Sequence, residues 1–249
     1  MRADLAILTP LKAEAEPFLR LLGAPDGPPL PLPAPALVQP YRVGRRRVLA
    51  GWTGIGGEAT RRAIDALAAD PPDALLHAGV AGALAATLRA GDVVVCERLV
   101  RDGQHTGGSE ALACLPAGRL EGWLAGLPRA AAVTVERVVS TAAEKRALFE
   151  RTGAAVVEME SYWAAQAALA QDLPAACLRV VCDAHDESLP DLTSALDPVG
   201  RPRTLRLLRQ LVASPGTITA LPRVARTFGA AQAALARAVE GVLREVGRA

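Results

Sequence analysis

Large aromatic side chains are nearly missing from this sequence: Phe, Tyr and Trp together make up 3% of its 249 residues. Any core must therefore be filled mainly by Ala, Leu and Val, and a hydrophobic content of 51% supplies enough of them for one large α/β domain or two small ones. Lysine is scarce, and arginine carries almost all of the positive charge. No run of 18 apolar residues occurs, which excludes an ordinary membrane-spanning helix. Arg2 and Asp4 interrupt a very short apolar start, so no secretory leader is expected. The four cysteines, Cys96, Cys114, Cys177 and Cys182, form no CxxC and no zinc-site spacing. They are expected to be reduced core residues of a cytoplasmic protein. No Walker A loop, no G-x-S-x-G and no internal repeat is found.

The net charge is +2, but it is unevenly spread. From Arg201 onward there are nine arginines against two glutamates, with no lysine or aspartate, a net +7 that leaves the first 200 residues at −5. Such a tail suits an anionic partner or surface, and equally a solvated arginine-rich helix face. No nucleic-acid partner and no metal are expected.

Short apolar runs alternate with helical patterns. Strands are predicted at 5–8, 47–51, 74–77, 92–100, 131–139, 154–157 and 175–182. Helices are predicted at 12–22, 57–69, 142–152 and 161–171, and the proline-rich stretch 24–40 reads as a loop. The alternation implies an α/β fold with a mixed, mostly parallel central sheet flanked by helices. Beyond Pro190 the pattern is helical only, with candidates at 203–212, 218–228 and 230–246, the last two parted by Gly229 and Pro222 falling in a first turn. The chain is read as a single domain over 1–249, with 190–249 a basic helical extension of it.

Four segments could carry chemistry. Gly54-Ile55-Gly56-Gly57-Glu58-Ala59 follows a strand and opens a helix, as a dinucleotide fingerprint does. It lies on the second strand rather than the first, and the nearest acid, Asp73, precedes the next strand, both misfits for that use. Gly79-Val80-Ala81-Gly82 is expected just after a strand, where small residues let a ligand approach the backbone, although a tight turn would also explain its glycines. Val157-Glu158-Met159-Glu160 places two acids where strand becomes helix. Glu158 and Glu160 would share a side if the strand continued, and acids also complement a helix N-terminus. Arg179 to Asp183 ends the last strand. There Asp183 would serve as a general acid if burial held it protonated, or else would merely cap the next turn.

Taken together and in this order, these motifs resemble the nucleoside phosphorylase family, and within it the methylthioadenosine/S-adenosylhomocysteine nucleosidases. The resemblance rests on Glu14, Gly54-Ile55-Gly56, Gly79 to Gly82, Gly91-Asp92-Val93-Val94, Val157 to Glu160 and Arg179 to Asp183. It implies cleavage of a purine nucleoside's N-glycosidic bond. Glu160 would hold the ribose hydroxyls, Met159 would pack on sugar and base, Asp183 would protonate the purine at N7, and Glu14 would activate water. Glu158, Gly79, Val80, Ala81 and Arg179 would complete the substrate site. Val80 stands where the nucleosidases have serine, and Thr9-Pro10-Leu11-Lys12 replaces a glycine-rich phosphate loop. Phosphate could still be the co-substrate through Lys12, Arg45 or Arg46, or through a cation of a neighbouring subunit; no other cofactor is implied. The tail, with Asp197-Pro198, Gly200-Arg201-Pro202 and Ser214-Pro215-Gly216, and the stretch Thr141-Ala142-Ala143-Glu144-Lys145 are similar to the hopanoid-associated phosphorylases. That likeness implies a 5′-substituted adenosine such as adenosylhopane, and would give the basic tail an anionic lipid surface to rest on. Methylthioadenosine/S-adenosylhomocysteine nucleosidase, futalosine-type hydrolase and a non-catalytic nucleoside-binding protein are the alternatives. A homo-oligomer is expected by analogy with the family.

Overall fold

The computed structural model describes residues 2–103, 110–189 and 216–248. Among these, nine strands build one sheet: β1 (Leu5–Thr9), β2 (Leu37–Val43), β3 (Arg46–Trp52), β4 (Leu75–Ala83), β5 (Val93–Arg101), β6 (Glu110–Ala113), β7 (Arg129–Thr134), β8 (Val156–Glu158) and β9 (Ala175–Asp183). The helices are α1 (Lys12–Leu22), α2 (Gly57–Ala66), α3 (Arg119–Trp123), α4 (Ala142–Thr152), α5 (Ser161–Leu169) and α6 (Gly216–Arg248). The strand order is β2-β3-β1-β4-β8-β7-β5-β6, and β9 pairs with both β4 and β5. Strands β4, β8, β7, β5 and β9 therefore close a circuit, while β2 and β6 are its outlying edges.

The sheet is mixed, as its sequence implies. The β1–β3, β1–β4, β4–β9, β5–β7 and β7–β8 pairs are parallel, and the other four are antiparallel. Its two faces are sorted by the period-two alternation of the strands. Ala6 and Leu8 of β1 point toward α2 and α5, joining Ile64, Ala164, Ala165 and Ala168. Leu5 and Ile7 point the other way, toward α1, α3 and α6, joining Phe18, Leu120, Leu235 and Val239. Alanine-rich α5 makes thin packing possible, so scarce aromatic volume is no handicap.

The C-terminal helix differs from its sequence reading. One helix runs from Gly216 to Arg248 without a break at Gly229, and Pro222 lies inside it, beyond the first turn. A lone glycine costs a helix only about 1 kcal/mol, and the apolar stripe Ala231, Ala234, Leu235, Val239, Val242 and Val246 is buried against α1 and the sheet. Tertiary packing overrides the local breakers. A second contact ties α6 to α1: Pro17 lacks the N–H that would bond the Ala13 carbonyl, and Gln232 Nε2 of α6 donates to that carbonyl instead. The helix proposed at 203–212 and the turn before Gly216 lie outside the described residues.

Two strands extend beyond what the sequence pattern implies. The stretch Leu37–Val43 forms edge strand β2 and not the end of a loop, with Pro40 tolerated as edge-strand prolines are. The Gly79–Gly82 segment lies within β4 rather than after it, because β4 continues to Ala83 along β9.

Candidate active site

Parallel strands β1, β3, β4 and β9 bring their C-terminal ends to one edge, the side where open α/β sheets place ligands. Glu14 is set there by the start of α1. It is the third residue of the helix, and its Oε2 accepts from the Leu11 N–H at 2.9 Å, which ties the carboxylate back over the helix N-terminus. Oε1 accepts from the Val80 N–H of β4, also at 2.9 Å. Val80 thus contributes its backbone and not a hydroxyl. Gly79 lacks a side chain where Glu14 passes: a Cβ there would stand 3.3 Å from Glu14 Oε1 and 3.1 Å from Pro10 Cδ. Burial pushes Glu14 up to about 7 from its ordinary 4.5, against the lowering pull of the two N–H groups and of Arg179.

Strand β8 runs antiparallel to β4 and carries Glu158 back toward Arg179 of β9. Arg179 is fully buried and its five guanidinium donors are all used. Nε and Nη2 donate to Glu158 Oε2 at 3.2 and 2.7 Å, Nη1 to the His77 and Leu178 carbonyls, and Nη2 to His77 Nδ1. Glu158 also accepts from Thr134 Oγ1 and from the N–H groups of Glu160 and Ser161. Burial alone would raise Glu158, but the Arg179 charge and these donors outweigh it and hold it below the usual range. Burial and Arg179 push His77 well below its ordinary value, so the ring is neutral. Glu158 and Arg179 were grouped with substrate contacts from the sequence. The structure has both saturated by protein partners, so they form a support beneath the site.

Glu160 is the residue that caps α5, past the end of β8, so the side-by-side placement that a continuing strand would give to Glu158 and Glu160 does not arise. Its Oε1 accepts from the Gly56 N–H at 2.8 Å, across to the loop that opens α2. This uses a backbone donor of the Gly54–Gly57 segment for a protein carboxylate, and Gly57 is there because any Cβ would strike the Trp163 ring, at 2.0 Å. Burial first and the Glu158 charge second push Glu160 up to about 8. Beside it, Met159, Gly56, Gly57, Val135 and Trp163 line a pocket of about 290 Å³. Pro35 of the proline-rich loop leans on the same loop from outside, its Cγ 2.5 Å from where a Gly54 Cβ would stand.

Asp183 closes the edge. A bulge between β4 and β9 slips the register so that Gly82 pairs with Asp183 and not with Cys182. The carboxylate lies over Gly82, where a Cβ would be 3.1 Å from Oδ2. Cys182 Sγ donates to Oδ1 at 2.9 Å, its thiol kept protonated by burial and by Asp183 itself. Lys145 Nζ of α4 donates to Oδ2 and is completely buried. No sequence motif announces this contact. Lys145 is one of two lysines in an arginine-rich chain and ends the Thr141–Lys145 stretch singled out above, but neither feature points to Asp183.

Glu14, Glu160, Met159, Gly79, Val80, Ala81 and Asp183 therefore share one edge. The cations suggested for phosphate do not all join them. Lys12 pairs with Glu16 and lies over the Trp52 ring. Arg46 pairs with Asp4 at the start of β3, about 20 Å of strand rise from that strand's site end, and Arg45 precedes it.

Buried carboxylates gathered along one edge of a closed mixed sheet, with helices on both faces, define an α/β protein with an acid-lined site at the strand ends. The chain belongs to the phosphorylase superfamily, whose family profile matches residues 4–213. Its fold is similar to that of futalosine hydrolase from Helicobacter pylori (TM-score 0.72, 17% identity, 98% of each chain covered). It is similar too to a 5′-methylthioadenosine/S-adenosylhomocysteine nucleosidase mutant from Helicobacter pylori with 5′-methylthioadenosine in the active site (TM-score 0.74, 17% identity, 98% of this chain and 100% of that one). The S-adenosylhomocysteine nucleosidase of Streptococcus pyogenes gives a TM-score of 0.69 at 19% identity, over 98% of this chain and 97% of that one. No curated protein matches the chain in sequence.

Proposed function

We propose that this chain cleaves the N-glycosidic bond of a purine nucleoside, with a 5′-substituted adenosine as substrate. The observation that carries the reading is the gathering of three buried carboxylates, Glu14, Glu160 and Asp183, along one edge, on a strand whose glycines leave room for two of them. Breaking the bond builds positive charge on the sugar and negative charge on the base. Glu160 stabilises the sugar and binds its hydroxyls, Asp183 delivers a proton to the leaving base, and Met159 packs against the nucleoside. Glu14, whose raised value of about 7 suits a general base near neutral pH, activates the nucleophile.

Water is the nucleophile we favour, because Arg46 is held at the far end of β3 and Lys12 is already paired. Adenine release from 5′-methylthioadenosine, S-adenosylhomocysteine and adenosine, with and without phosphate, tests this beside Asp183→Asn. Phosphate-independent release that the variant loses by about a thousandfold is the expected result. Release that requires phosphate overturns the choice of water, and equal activity in Asp183→Asn overturns the role of Asp183. Silence on all three directs the test to adenosylhopane, the bulky lipid nucleoside that the tail's likeness suggests, and silence there overturns the reading.

Within α6, contact with anionic lipid has to come from the polar face, since its apolar stripe is buried in the fold. Arg244 and Arg248 are paired with Glu240 and Glu245, and Arg223 with Glu187. Truncation would remove core residues, so liposome co-sedimentation belongs with full-length Arg223→Ser/Arg226→Ser. Equal and negligible binding by variant and parent disposes of the lipid contact. A homo-oligomer remains part of this proposal, and light scattering decides it.

A further inference from the structure

We propose that the acid which protonates the leaving base is the Lys145–Asp183 pair, with Lys145 as the proton store behind Asp183. This deepens the N-ribosyl cleavage proposed above and rests on it.

Lys145 is carried by α4, whose start is fixed by a reciprocal cap. Thr141 Oγ1 accepts from the Glu144 N–H, and the Glu144 carboxylate accepts from the Thr141 N–H. The next residue inward is Lys145. Its side chain is fully buried, and its nitrogen meets three acceptors: Asp183 Oδ2, the Ala184 carbonyl at 2.6 Å and the Glu187 carbonyl at 2.9 Å. An ammonium has three N–H donors, so the charged form is satisfied completely, with Asp183 as its counter-ion. A neutral amine has two N–H groups and one lone pair. The two carbonyls would keep the two donors, and the lone pair would accept the O–H of a protonated Asp183. The same three partners thus accommodate the proton on either side of the Nζ–Oδ2 contact. Burying a charge is costly unless it is paired and hydrogen-bonded, and Asp183 with the two carbonyls meets both conditions.

A proton passes from Lys145 Nζ to Asp183 Oδ2, giving amine and carboxylic acid. Asp183 passes a proton to purine N7 as the C1′–N9 bond breaks and its electron pair stays with the base. Glu14 takes the proton of the attacking water. After product release Lys145 takes a proton from solvent and Glu14 gives one up. Cys182, donating to Oδ1, holds the other carboxyl oxygen in place throughout.

Lys145→Met keeps the length of the side chain and removes the proton. The expected result is turnover of 5′-methylthioadenosine reduced about a hundredfold, with turnover of 4-nitrophenyl β-D-ribofuranoside, whose leaving group needs no proton, within about threefold of the parent. Equal losses on both substrates would show a structural role and overturn the proposal, as would undiminished adenine release. Since Lys145→Met leaves Asp183 without its counter-ion, Lys145→Met/Asp183→Asn, which removes both charges, serves as the second variant; it should fold and show the same selective loss. The shared proton is read independently of activity in the intact protein. The chain has two lysines, so ¹⁵Nζ-lysine labelling gives two resonances, of which the buried one is Lys145. Its pH titration should move to lower pH in Asp183→Asn; indifference to that substitution overturns the pair. A parent inert toward every nucleoside overturns the cleavage reading, and the ¹⁵N titration still decides whether Lys145 and Asp183 share a proton.

Discussion

Glu158 and Glu160 stand two residues apart where β8 passes into α5, both almost wholly buried, and their environments drive them in opposite directions. Glu158 faces Arg179, Thr134 and two backbone donors, and is held below the ordinary carboxylate range despite burial. Glu160 has one backbone donor, from Gly56, and the negative Glu158 beside it, and rises to about 8. Glu14 belongs with Glu160: buried, lightly bonded, raised to about 7. One group of residues is closed and satisfied, while the other is left electrostatically unsettled. Proteins spend stability in that way where a group has a reaction to perform.

If the closed group is structural, breaking it should unfold the protein before it touches chemistry. Arg179→Met leaves Glu158 buried without its cation, and the loss of one partner of a buried pair costs about 3–5 kcal/mol. Urea denaturation should show this as a lower midpoint at unchanged slope. A loss below about 1 kcal/mol would mean the pair is not the support described.

The open group should give the converse. Glu14→Gln removes the base while keeping the shape, and should lower adenine release about a hundredfold. One of the two backbone donors loses its acceptor, worth about 1 kcal/mol, so the melting temperature should move by no more than about 4 °C. A large fall in melting temperature with activity kept would reverse the assignment of the two groups.

Titration sharpens the contrast. Glu14 and Glu160 are raised in the folded state, so above pH 4.5 the native protein holds protons that the unfolded chain has lost. Their contribution to stability is greatest below 4.5 and is lost as pH rises through about 7 and 8. Glu158 is lowered, so its contribution is present above 4.5 and is lost as acid protonates it. Melting temperature should therefore fall from about pH 5 to pH 8 while activity rises through about pH 7 as Glu14 ionises and further through about pH 8 as Glu160 does. Thermal melts and rates taken in the same buffers check both. A melting temperature that climbs from pH 5 to 8 would contradict the burial of the two raised acids.

The sequence made the edge legible because its carriers are local. Glu14 sits one turn after a strand, Glu160 and Asp183 end strand motifs, and helices such as α1 and α4 begin where their patterns do. What it hid depends on contacts far apart in the chain. Arg179 and Glu158 looked like ligand contacts because only the fold shows them saturated by Thr134 and His77. The bulge that turns Asp183 toward Gly82 is a property of two strands together. Lys145 reaches Asp183 across 38 positions. Pro40 and the prolines before it disguised β2, and α6 runs through Gly229 because the sheet holds it, which local propensity cannot register.

The finest test of the comparison uses the glycines. Gly79 and Gly82 occur three residues apart on β4, one against Glu14 and one against Asp183. If they are glycine to make room for acids, a methyl group should perturb each acid selectively. In Gly82→Ala the new carbon would lie 3.1 Å from Asp183 Oδ2 and 3.3 Å from Val157 Cγ1, so a few tenths of an ångström must be given up by one of them. Val157 is packed in a strand, while Asp183 hangs at a bulge and will yield first. Overpacking costs about 1 kcal/mol or somewhat more, and a displaced acid should cost several-fold to about tenfold in turnover, short of the hundredfold that a full 1 Å misplacement can cause. The loss should appear with 5′-methylthioadenosine and shrink with 4-nitrophenyl β-D-ribofuranoside, which does not call on Asp183. Gly79→Ala crowds Pro10 Cδ at 3.1 Å and Glu14 Oε1 at 3.3 Å, and because both substrates need the nucleophile that Glu14 activates, it should slow them alike. The same response from both substitutions would show that β4 merely tolerates small residues there, with no acid accommodated by either.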